Sequence, residues 1–111
     1  MTLIDDRYSY RITWSPEDEE YVGICVEFPS LSWLMGEPES ALKGIRNLVS
    51  KVVEEMKSKG ENPPTPLATK RYSGKFLVRM APDIHRHLAI QAAEERISLN
   101  RLVCSKLSVS D

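Results

Sequence analysis

Lys75, Leu77 and Arg79 are the residues whose types and spacing point most directly to chemistry. In an extended segment alternate side chains share a face, so these three project one way while Phe76, Val78 and Met80 project the other. Two cations around an aliphatic side chain suit the DNA major groove. Arginine can meet guanine O6 and N7 in a bidentate pair, and leucine can meet a thymine methyl. On an isolated strand Lys75 and Arg79 would be ordinary solvated charges. Leu77 argues for a special surface, because an outward leucine has no core to enter.

The elements that must position this segment follow it. Pro82 suits the first turn of a helix, where its missing N–H costs nothing, and Asp83 complements the positive helix end. Ile84, Leu88 and Ala92, with Ala89 and Ala93 beside them, form an apolar stripe that ends near Arg96-Ile97. Ser98 is a good N-cap for a second helix with apolar positions Leu99, Leu102, Val103 and Leu107. Ser98, Leu99 and Asn100 can simply cap that helix.

One strand and two short helices leave an unpaired edge and too little core, since domains below roughly 40 residues usually need outside help. Pairing the strand with its mate in a second copy solves both problems. Phe76, Val78 and Met80 then form the dimer core, while Lys75, Leu77 and Arg79 face outward on a two-stranded ribbon that fits a major groove. This stretch, with Pro82 and Ser98-Leu99-Asn100, resembles the ribbon-helix-helix repressors. That resemblance implies that the free N–H groups at Ser98, Leu99 and Asn100 clamp a phosphate.

Upstream, Tyr8 to Trp14 alternates like a half-buried strand. Ser15 to Glu20 is a polar turn, and Tyr21 to Phe28 reads as the return strand, with Val22, Ile24, Val26 and Phe28 on one face. Pro29-Ser30 should break that run, and Leu31 to Leu34 should form a third short strand. A long amphipathic helix opens near Pro38 and carries Leu42, Ile45, Val49, Val52 and Met56 at steps of three and four, widened by Ala41, Leu48 and Val53. Gly60 is placed to end it. Three prolines among Pro63, Pro64 and Pro66 begin a semi-rigid linker. Residues 67–72 could add an edge strand or remain a tether. The expected class is α+β, a sheet of three to four strands with one long helix, followed by the ribbon and two helices.

Charge divides the chain in the same place. Residues 1–69 hold 7 Lys/Arg against 12 Asp/Glu, a formal −5, and residues 70–111 hold 8 against 4, a formal +4. The basic end suits phosphate, and the acidic end suits a basic protein. An apolar patch containing Trp33 and Leu34 is the first place to seek that partner.

Other chemistry is poorly supported. Metal-dependent nuclease work needs carboxylates holding two ions about 4 Å apart. Six of the acids crowd into Glu17–Glu20 and the helix start, and Glu27 is the only one expected within a sheet. His85 and His87 are two apart on a helix and diverge. Cys25 and Cys104 have no metal or redox spacing and read as reduced thiols. No cofactor, metal site or catalytic residue is expected. No apolar run approaches the ~18 residues of a membrane span, and the N-terminus lacks a basic region before an apolar core, so a cytoplasmic protein is expected.

Taken together, the Tyr8–Trp14 strand, the acidic turn, Tyr21-Val22-Gly23, Phe28-Pro29-Ser30-Leu31, Glu39-Ser40-Ala41-Leu42 and the proline linker are similar to HicB-type antitoxins. So are Tyr72 to Phe76, Ala81 to His85, Leu88-Ala89 and Ser98 to Asn100. The resemblance implies a degraded RNase H-like domain in residues 1–66 that binds and blocks a small basic ribonuclease toxin. It also implies a ribbon-helix-helix domain in residues 67–111 that dimerises and binds the operator of its own operon. Whether the assembly is a dimer or a tetramer stays open. Glu37 stands where an N-capping Ser or Thr is commoner, and Ala81 where a second proline is frequent. The competing expectation is a stand-alone transcription factor whose first domain senses a ligand or oligomerises.

Overall fold

The computed structural model describes residues 7–108. Its elements run β1 (Tyr10–Ser15), β2 (Glu20–Cys25), β3 (Phe28–Met35), α1 (Pro38–Ser58), α2 (Pro82–Glu95) and α3 (Leu99–Leu107). The chain divides into two compact units, Met1–Tyr72 and Ser73–Asp111. Among the described residues, no helix is long and apolar enough to cross a membrane.

In the first unit the three strands form an antiparallel sheet in the order β1-β2-β3, with α1 packed across one face. The class is therefore the expected α+β, with three strands. The polar turn brings Ser15 opposite Glu20, and the Ser15 hydroxyl donates to the Asp18 carboxylate at 2.9 Å. Glu19 closes the turn in the left-handed region, at φ 51°.

The second hairpin departs from the sequence reading. β2 ends at Cys25, Val26 and Glu27 make the turn, and Phe28 opens β3. Pro29 does not break the run, because β3 is an edge strand and can spare an N–H. A register shift at Ile24/Cys25 accompanies the turn. As a result Gly23 and Cys25, rather than Val22 and Ile24, face α1. The cause is close approach: a Cβ on Gly23 would lie 2.7 Å from the Ala41 carbonyl oxygen and 2.9 Å from Ile45 Cγ2. The helix sits where only a side-chain-free residue admits it.

Helix α1 buries Ala41, Ile45, Val49 and Val53, a strict four-residue stripe. They pack with Tyr8, Cys25 and Phe28, and the Tyr8 and Phe28 rings meet edge to face at 5.3 Å. Leu42, expected within the stripe, is instead exposed, because the stripe centres one residue earlier. Gly60 ends the helix as expected. At φ 77° it lets its own N–H reach the Lys57 carbonyl and the Glu61 N–H reach Met56.

The proline segment is not a free linker. The Tyr8 hydroxyl donates to the Pro64 carbonyl at 2.7 Å, and the Leu67 N–H donates to the Glu27 carboxylate at 2.9 Å. Residues 67–70 form a turn rather than a strand, with the Lys70 N–H on the Pro66 carbonyl.

In the second unit α2 starts at Pro82 and ends where Arg96 adopts φ 58°. There the Ile97 N–H returns to the Ala92 carbonyl and the Arg96 N–H to that of Ala93. Helix α3 follows at once from its cap, Ser98.

Candidate nucleic-acid interface and partner surface

In the second unit, residues 75–80 belong to no helix or strand, and every residue from Arg71 to Arg86 is exposed. Phe76 is 81% exposed and Leu77 78%. Among the described residues, no backbone hydrogen bond engages Phe76 to Met80. The segment is held at its start, where Ser73 Oγ accepts from the Lys75 N–H at 3.1 Å and Gly74 turns the chain at φ 82°. Lys75, Leu77 and Arg79 thus lie on one short segment, as do Phe76, Val78 and Met80.

The helices leave that segment half covered. Within the second unit Ala92 and Leu102 are buried, but Ile84 and Leu107 remain exposed. A cleft of about 380 Å³ opens beside Val78 and Met80, floored by Leu88, Leu99 and Val103. An apolar cleft next to an uncovered apolar segment is an incomplete core.

Ser98 caps α3 as the sequence suggests: its Oγ accepts from the Arg101 N–H at 3.0 Å. That satisfies one of the first-turn donors and leaves those of Leu99 and Asn100 directed outward at the positive helix end. Asn100 is exposed beside them.

In the first unit, Trp33 and Leu34 do not form one patch. Neighbours on a strand point to opposite faces. Trp33 pairs with Gly23, on the face that α1 covers, and Leu34 pairs with Val22, on the other. The Trp33 indole lies against Gly44, where an added Cβ would fall 2.0 Å from its Cδ1. Even so, Trp33 is 41% exposed.

Glu27, expected within a sheet, occupies the β2–β3 turn and acts as a clasp. Its carboxylate accepts from the Ser9 N–H and the Leu67 N–H, each at 2.9 Å. Partial burial pushes its pKa up, but these hydrogen bonds outweigh the burial, so it stays below the ordinary carboxylate range. Burial, reinforced by Glu27, pushes the neighbouring Cys25 thiol up to about 11. Among the described residues, no group of three His, Cys, Asp or Glu could hold a metal ion.

A comparison with protein families finds a match in the C-terminal part of the chain. Residues 58–107 match the model of the HicB family. They form a HicB family domain. The match begins at the last residue of α1 and runs through the proline segment, the extended segment, α2 and α3. It covers slightly under half of the chain. No curated protein and no solved structure matches the chain. A domain of this family points to an antitoxin role with a toxin partner.

Two features outside the HicB family match went unread in the sequence. One is Gly44, an isolated glycine inside a strongly periodic helix; that pattern signals either a penalty of about 1 kcal/mol or a close neighbour. The neighbour is Trp33. The other is the Glu27 clasp, which joins residues 18 and 40 positions away and leaves no local signature.

Proposed function

We propose that this protein is the antitoxin of a toxin–antitoxin module and represses its own operon. Residues 75–80 pair antiparallel with the same residues of a second copy. Phe76, Val78 and Met80 then close the clefts beside them, and Lys75, Leu77 and Arg79 enter the operator major groove. Ser98 and Asn100 hold a backbone phosphate at the start of α3. Residues 1–66 bind a small basic ribonuclease toxin and carry no catalytic activity of their own.

The observation that carries this reading is the open segment itself. An uncovered segment with Phe76 and Leu77 both about four-fifths exposed is a liability unless another chain covers it. A second copy supplies the missing hydrogen bonds and core together. The formal +4 of residues 70–111 suits a polyanion, and the formal −5 of residues 1–69 suits a cationic protein.

A gel shift with the promoter of its own operon tests the DNA arm. Arg79→Ala should weaken binding by ~1–3 kcal/mol, or roughly 5- to 150-fold, and relax preference at one base pair. Unchanged binding at moderate salt would sink the ribbon assignment. Co-expression with the flanking gene, followed by mass measurement of the complex, tests the toxin arm.

A further inference from the structure

The first unit carries an uncovered apolar row at one end of its sheet. Trp14 pairs with Tyr21, and Tyr21 pairs with Met35, so the three stand side by side across β1, β2 and β3. They share the face that α1 covers, since the adjacent row, Ile12, Gly23 and Trp33, lies under Ala41 to Ile45. But α1 begins only at Pro38, and this last row extends past its start. Trp14 is 50% exposed and Met35 38%. The Trp14 and Tyr21 rings lock edge to face at 5.0 Å, which makes a rigid platform of the two.

The rim of this platform has one sign of charge. From Ile12 to Leu42 the chain holds no Lys, Arg or His and seven Asp or Glu. Six of the seven gather at this end. Glu17, Asp18, Glu19 and Glu20 lie in and beside the β1–β2 turn, while Glu37 and Glu39 flank the start of α1 just past Met35. Such a rim disfavours a second copy docking through the same end, because like charges would meet, and it repels nucleic acid for the same reason. It favours a cationic protein surface. Aromatic faces ringed by carboxylates suit lysine or arginine especially well, with the guanidinium laid over indole and the carboxylates at its edge.

We propose that the Trp14–Tyr21–Met35 row and its acidic rim form the docking surface for the cationic face of a small basic protein. This rests on the reading of the first unit as toxin-binding and moves the contact from Leu34 to the opposite face of the sheet. Trp14 is the anchor, covered by an arginine or lysine of the partner. The six carboxylates steer the encounter and fix its orientation.

The test uses the full chain and, as probe, the product of the reading frame adjacent to its own, with affinity measured by titration calorimetry at 50 and 500 mM salt. Glu17→Lys/Glu20→Lys reverses the rim, and Glu54→Lys/Glu61→Lys makes the same change in net charge at the far end of α1. The rim variant should bind at least ~10-fold more weakly at 50 mM salt, with the gap closing at 500 mM, while the control binds like wild type. Trp14→Ala should weaken binding by ~30-fold or more at both salts. Should that variant unfold, the rim pair, confined to exposed or half-exposed positions, still decides the matter. Equal losses from rim and control variants, or none from either, would overturn the docking surface while leaving toxin binding intact. Failure of wild type to bind the probe would overturn both.

Discussion

Gly44→Ala sets two physical rules against each other. Helix propensity alone favours alanine by about 1 kcal/mol in a helix interior. The structure predicts the opposite sign, because the new Cβ would overlap the Trp33 ring at Cδ1, Nε1 and Cγ, all within 2.6 Å. The helix backbone is fixed by the buried Ile45 beside it, so the indole must move. A tryptophan buries roughly 150–250 Å² when covered, and Trp33, at 41% exposure, has somewhat over half of its surface covered. At about 25 cal/mol per Å², swinging the ring out forfeits about 2–4 kcal/mol. After the propensity gain the net loss is about 1–3 kcal/mol, or a Tm lower by roughly 4–24 °C at the usual 4–8 °C per kcal/mol for a unit of this size. Both tryptophans lie in the first unit, so fluorescence in a Trp14→Phe background follows Trp33 alone. Its emission should shift to the red in the folded variant. Gly36→Ala is the control, because nothing lies within 4 Å of a Cβ there. A Gly44→Ala protein with raised Tm and unshifted emission would refute the seating of Trp33 on α1.

Other expectations are briefer. Val78→Glu, by placing a charge where the paired strands should close, should yield monomers by light scattering and abolish the gel shift; a stable dimer would exclude the 75–80 seam. Native protein at pH 8 should react with a thiol reagent at the exposed Cys104 and not at Cys25, whose pKa of about 11 and burial keep it a neutral thiol, with the second equivalent appearing only on unfolding. Glu27 has a lowered pKa in the fold, so its stabilisation is complete above the ordinary glutamate value of roughly 4.3 and fades as pH falls through the lower folded value. Glu27→Gln should therefore lower the neutral-pH Tm and flatten its decline in acid, and an unchanged acid limb would remove Glu27 from the clasp. Arg96→Gly should be neutral or stabilising by up to ~1 kcal/mol in denaturant unfolding, because Arg96 sits at φ 58°, whereas Gly60→Ala at φ 77° should cost about 1 kcal/mol.

Periodicity made the helices legible. The steps of three and four in α1 and the proline and serine starts of α2 and α3 are local signals, and all three helices occur where they point. The sheet was legible as strands but not as faces. A row of Val22, Ile24, Val26 and Phe28 looks like a core face by hydrophobicity alone. The true core face carries Gly23 and Cys25, because a helix pressed against a sheet selects for small size as well as apolarity. Leu42 fell outside the stripe for a related reason: a one-residue rotation of α1 moves it toward solvent, and sequence spacing tolerates either choice. In the candidate site, Ser98 was legible because capping is local, and its hydroxyl does accept from Arg101. Trp33 and Leu34 are adjacent in sequence and look like one patch, but strand geometry sends them to opposite faces. The docking of the proline segment was hidden, since the Tyr8–Pro64 bond spans 56 positions.

The two proposed surfaces share a physical logic that bears on how one chain could hold two partners. Each is a surface its own unit leaves uncovered, one an aromatic row past the start of a helix and the other an exposed segment in no helix or strand. Hydrophobic exposure makes both adhesive, and adhesion by itself discriminates poorly. Discrimination then falls to charge. The acidic end of the first unit repels phosphate, and the basic second unit repels a cationic protein. At physiological salt the screening length is about 8 Å, so each rim acts on a partner seated against it. Opposite charge on the two units thus lets similar apolar exposure serve different partners without either occupying the other's place.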